Sequence, residues 1–167
     1  MKNNLAPTLR IGLIGGIITI FISLIGMVES FDKRDVISEV ISLGVVTLML
    51  TILSTAYFAA HRQHKNGVTQ ILISGTLTGL TSGVLLTLFV LFSTVVDLRS
   101  MFINVKPSLI TLLTFKQQTL SIGILYLVGV STFTGLVASV LYLIPSRVSK
   151  EFVTTFIWVM VLGVMQE

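Results

Sequence analysis

Ile71-Leu-Ile-Ser-Gly75-Thr-Leu-Thr-Gly79-Leu-Thr-Ser-Gly83-Val-Leu-Leu-Thr87-Leu-Phe-Val-Leu-Phe-Ser-Thr-Val-Val96 decides the architecture. It holds no charge, and the uncharged run around it covers the 31 residues 66–96. As a helix, its dense apolar part reaches about 39 Å, beyond the ~30 Å hydrocarbon core of a bilayer. Its glycines recur every fourth residue, so Gly75, Gly79 and Gly83 share one helical face, and Ser82 extends it. In lipid a face without side chains lets another backbone approach closely, and packing drives association. The stretch therefore reads as a membrane span that docks through a groove.

Charges mark off three further spans. Residues 11–28 form an uncharged run of 18 and residues 40–60 one of 21. Residues 117–146 form one of 30, with its dense part at 120–144. Pro145 ends that last span, because proline cannot donate to the preceding turn and biases its predecessor away from helix. The expected spans are 11–28, 40–60, 71–96 and 120–144. A fifth apolar run, 152–166, has 15 residues. It would reach about 22 Å, short of a full crossing. It is either a short interfacial helix or a span cut by the end of the chain; the second is preferred, so the chain is expected to be the front part of a longer protein. Lys2 and Arg10 before the first run imitate a signal peptide, but Gly26-Met-Val-Glu-Ser30 offers no small-x-small cleavage site.

Composition agrees. Of 167 residues, 53% are hydrophobic and 11% charged, against about 25% charged in soluble domains. Mean hydropathy is +0.99. These figures exclude a disordered chain and an ordinary soluble enzyme. With no cysteine, disulfides, thiolate metal sites and cysteine nucleophiles are also excluded. The net charge of +4 sits in short connections, as topology signals do, and is not read as a nucleic-acid surface. Lys2, Arg10, Arg62, Lys65, Arg147 and Lys150 fall on one side, and Lys33, Arg34, Arg99, Lys106 and Lys116 on the other. The basic front favours a cytoplasmic N-terminus. Tyr57, Tyr142 and Phe152 would then share one aromatic belt.

Each connection has a plain reading. In the first, Asp32 or Asp35 is expected to cap the second span. In the second, His61 and His64 stand three apart among cations, a poor metal set, so a headgroup-contacting turn closed by Asn66-Gly67 is expected. The third, 97–116, is too long for a turn. Pro107 suits a helix start, and a short helix at 107–115 with Leu109, Ile110, Leu112 and Leu113 on one face is expected on the outer side. A re-entrant pore loop is the alternative there.

Little chemistry is visible. No Asp, Glu, Lys, Arg or His lies inside the dense spans, which argues against proton relays, ion-coupled transport and membrane-embedded catalysis. No nucleophile–base pair, phosphate loop or metal set stands out, so no enzyme activity and no cofactor are expected. Ser and Thr are plentiful, and back-bonding to helical carbonyls is their default use. The residues singled out are the packing set: Gly75, Gly79, Ser82 and Gly83, with Gly12 and Gly16 in the first span and Ser131, Gly135 and Ser139 in the fourth.

Arg10-Ile-Gly-Leu-Ile-Gly-Gly16, Gly26-Met-Val-Glu-Ser-Phe-Asp-Lys-Arg-Asp35 and Ile41-Ser-Leu-Gly44 resemble the front region of bacterial ABC-type permeases of the branched-chain amino acid importer type. Leu112-Leu-Thr-Phe115 and Leu143-Ile-Pro-Ser-Arg147 fit the same resemblance. It covers nearly the whole chain but only the least diagnostic part of such permeases, and their coupling segment is not recognisable here. The resemblance implies a role in solute import, with a separate ATPase subunit and a solute-binding protein as partners. The expectation is an all-α, multi-spanning bundle in a bacterial plasma membrane, contacting lipid and other membrane subunits. The alternative is a small accessory or scaffold subunit of a larger membrane complex.

Overall fold

The computed structural model describes residues 5–26, 28, 35–37, 41–96, 108–115 and 119–144. It is an all-α bundle, with five helices among the described residues: α1 (Leu5–Leu24), α2 (Leu43–Arg62), α3 (Val68–Val95), the short α4 (Ser108–Leu113) and α5 (Leu120–Leu143). Four of them are long and apolar enough to cross a membrane. Before α2, β1 (Asp35–Ile37) and β2 (Ile41–Ser42) form an antiparallel pair, with Asp35 opposite Ser42 and Ile37 opposite Ile41.

Helix ends differ from the charge boundaries for local reasons. α1 starts at Leu5 rather than residue 11 and takes in Pro7, which the first turn tolerates, and Arg10, whose exposed side chain can reach away from lipid. It stops at Leu24, where Gly26 adopts φ +82° and donates to the Ser23 carbonyl, a conformation that suits glycine. α2 starts at Leu43 because residues 41–42 are extended in β2. Its cap is Ser42, whose hydroxyl accepts from the Val45 N–H at 3.4 Å. This corrects the expected carboxylate cap: Asp35 is in β1, and Asp32 lies outside the described residues. The α2–α3 connection is a 3-10 turn, His64–Asn66, followed by Gly67 at φ +87°. α5 ends at Leu143, and Ile144 takes the extended conformation that a following proline favours. The run 152–166 lies outside the described residues.

α2 and α3 are the inner pair, each packed on the other long helices, and α3 with α5 form the most extensive interface. α1 runs parallel to α3, since Gly12 faces Thr81 and Gly16 faces Leu85. α5 runs antiparallel to α3, since Gly75 faces Ser139 and Gly83 faces Ser131.

The interior is unequal along its length. At the end holding the α1 C-terminus it is bulky: Leu48, Ile52, Leu86, Val90 and Leu127 cluster with Leu109, Leu112 and Leu113 of α4. The expected helix at 107–115 is thus a six-residue helix packed on the spans, with Leu109 fully buried. Phe115 leaves it at φ +54°. Towards the other end small residues take over, among them Ala56, Ala59 and Ala60 of α2 and Ala138 of α5. Side chains are distributed inside out relative to a water-soluble protein. Thr19, Ser23, Thr78, Ser82, Ser131 and Ser139 are fully buried, whereas Phe21, Leu125, Phe133 and Val95 are well exposed. Such a surface needs lipid around it.

Candidate functional site

The packing set converges on two faces of α3. On the first, α3 meets α5 almost backbone to backbone. A Cβ on Gly79 would collide with the Ser131 carbonyl oxygen and lie 3.0 Å from the Gly135 Cα. A Cβ on Gly135 would collide with the Gly75 carbonyl oxygen and lie 2.9 Å from the Gly79 Cα. Gly83 meets the Ser131 Cβ at 3.0 Å, and Gly75 faces the Ser139 hydroxyl. On the second face, a Cβ on Gly12 would strike the Thr81 hydroxyl, and one on Gly16 would come 2.8 Å from Leu85 Cδ2 and 3.3 Å from the Ser82 Cα. So Gly75, Gly79, Gly83, Ser131, Gly135 and Ser139 belong to one crossing, and Gly12, Gly16 and Ser82 to another.

Hydroxyls seal both crossings. Ser82 Oγ donates to the Gly12 carbonyl at 2.9 Å, joining α3 to α1. Ser139 Oγ donates to the Ile71 carbonyl at 3.1 Å, joining α5 to α3, and to its own Gly135 carbonyl at 3.2 Å. A glycine opposite each serine is what lets the hydroxyl reach a carbonyl of the next helix. Most other hydroxyls bond within their own helix: Thr19 to Gly15, Ser23 to Thr19, Thr78 to Ser74, Thr87 to Gly83 and Thr132 to Val128. Thr134 adds a contact to the Met49 sulfur at 3.2 Å, between α5 and α2. Ser131 Oγ is the buried exception, with no partner among the described residues.

Three close approaches escape the four-residue pattern. Gly15 packs on Thr55, Gly123 on Thr114 and Gly44 on the Val28 carbonyl. Each is a lone glycine against a different helix or connection, so no repeat announces it. The alanines of α2 have a readable signal, because Ala56 and Ala60 are four apart.

At the end that holds the α1 N-terminus, aromatic side chains gather. Tyr142 lies edge-on to Tyr57 at 5.4 Å, to His61 at 5.7 Å and to His64 at 6.0 Å between ring centroids. The Tyr142 hydroxyl is 2.8 Å from His64 Nδ1. Tyr57 and Tyr142 are thus neighbours, while Phe152 lies outside the described residues. Among the described residues no three His, Cys, Asp or Glu side chains stand together as metal ligands. Arg62 stacks on Phe58, 5.2 Å from the ring centroid.

Fold and site together define a membrane-embedded helical bundle held by glycine and serine crossings. No protein-family model, curated protein or solved structure matches the chain.

Proposed function

We propose that the chain is a non-catalytic membrane component of a solute-import permease of the ABC type, contributing a rigid helical unit beside the part that handles solute. The observation that carries this reading is the way buried polar groups are spent. Ser82 and Ser139 bond across helices, and the buried Thr19, Thr78, Thr114 and Thr134 bond back to their own backbone. Among the described residues little hydrogen-bonding capacity is left to coordinate a moving solute, which favours a unit that supports rather than conducts. The importer identity rests on the resemblance of residues 10–16, 26–35 and 41–44.

The test is genetic and biochemical. Deleting the gene in its host should abolish ATP-dependent uptake of branched-chain amino acids, and the tagged protein should purify with an ATPase subunit at fixed stoichiometry. Unchanged uptake of these and other amino acids, with no ATPase in the purified assembly, would overturn the importer reading. The accessory-subunit reading, which the same spending of hydroxyls on packing favours, would then stand in its place.

A further inference from the structure

A cavity of about 290 Å³ opens between the first turns of α1 and the last turn of α2. It lies at the end of the bundle that carries the α1 N-terminus, and helix packing gives it no role. Its lining is mixed: Pro7, Ile11 and Ala59 are apolar, and Thr8, Arg62, Gln63 and Asn66 are polar. Gln63 is the telling residue. It is only 8% exposed, and its Oε1 accepts from Asn66 Nδ2 at 2.5 Å. Its Nε2 has no acceptor among the described residues. Beside it the Arg62 guanidinium is steadied by the Phe58 ring. Among the described residues this end of the bundle carries Arg10, Arg62 and Lys65 and no carboxylate.

The geometry points to a binding site for a phosphoryl anion in this cavity. A phosphoryl group has the acceptor oxygens that the Arg62 fork and Gln63 Nε2 lack, and arginine takes such oxygens in pairs. The apolar part of the lining suits an organic ester of that phosphate, such as the glycerol of an anionic lipid headgroup at the membrane surface. The site is independent of the import reading and would exist in an accessory subunit as well.

The test uses the purified full chain in a neutral maltoside detergent. Phosphatidylglycerol, phosphatidylcholine with the same acyl chains, and inorganic phosphate are added in separate arms. Retention is read by native mass spectrometry, and stability by the thermal unfolding midpoint. Phosphatidylglycerol should be retained one to one and raise the midpoint, with phosphatidylcholine inert. A response to inorganic phosphate instead would support the same site and identify its source as a soluble anion. Arg62→Gln should weaken the response by about tenfold or more. Should that variant not fold, Gln63→Glu keeps the shape and the acceptor for Asn66 while repelling an anion, and should weaken the response equally. Lys65→Gln removes the same charge at the same end but does not line the cavity, and should behave as the parent. Equal retention of the two lipids with no response to phosphate, or an equal loss in Lys65→Gln, would overturn the site.

Discussion

Gly79 and Gly135 face each other across the α3–α5 crossing so closely that a methyl group on either would press on the Cα of the other, at 3.0 and 2.9 Å. Both sides are backbone, so neither can yield by turning a side chain.

The first prediction follows from that contact. Gly79→Leu should separate α3 from α5 and cost about 1–3 kcal/mol or more. Gly79→Ala should be milder yet still destabilising, since its Cβ alone meets the Ser131 carbonyl. Gly129→Ala is the control: nothing lies within 4 Å of its Cβ, so it should gain about 0.5–1 kcal/mol from helix propensity. Unfolding in mixed detergent checks the order of the three variants.

The hydroxyl bridges should be measurable one by one. Ser82→Ala removes the bond to the Gly12 carbonyl and should cost about 0.5–1.5 kcal/mol, as should Ser139→Ala. Ser131→Ala should cost nothing, because its hydroxyl has no partner among the described residues to lose. Equal losses for Ser82→Ala and Ser131→Ala in the same unfolding assay would refute the bridges.

How much of this was legible beforehand follows from what sets each feature. The four spans and the α3 face depend on local sequence, on runs without charge and on a four-residue repeat, and both can be read directly. Which face of α3 takes which partner depends on how the bundle closes. Gly79 and Ser82 look alike in the repeat, yet Gly79 turns to α5 and Ser82 to α1. The lone contacts of Gly15, Gly44 and Gly123 are set by their partners and carry no signal of their own. The Asp35 cap failed because β1 pairs with β2 and leaves Ser42 next to the helix.

α4 should behave as part of the bundle. Leu113→Ala should open a cavity worth about 2–5 kcal/mol, and Gly123→Ala should push α4 outward through Thr114. Hydrogen exchange checks this: amides of α4 should be protected in the parent and lose protection in both variants.

Tyr142 should matter more by its ring than by its hydroxyl. Tyr142→Phe keeps three edge-on contacts and loses one exposed bond to His64, so it should cost under about 1 kcal/mol. Tyr142→Ala should cost more. Thermal unfolding of the pair separates the two contributions.

The absence of cysteine makes topology direct to read. Asn66→Cys and Thr119→Cys sit at opposite ends of the bundle, and each is exposed. With the N-terminus in the cytoplasm, an impermeant maleimide should label Thr119→Cys in intact cells and Asn66→Cys only after lysis. The reverse pattern would invert the orientation.

The long helices are unequal: 20 residues each in α1 and α2, 24 in α5 and 28 in α3. At 1.5 Å per residue these are about 30, 30, 36 and 42 Å. Locked together at the glycine crossings, they cannot adjust their slant independently. The protein therefore offers the bilayer a thin flank at α1 and a thick one at α3 and α5. Lipids around it must shorten on one side and stretch on the other, or the whole bundle must lean. Its stability in vesicles should consequently track acyl-chain length.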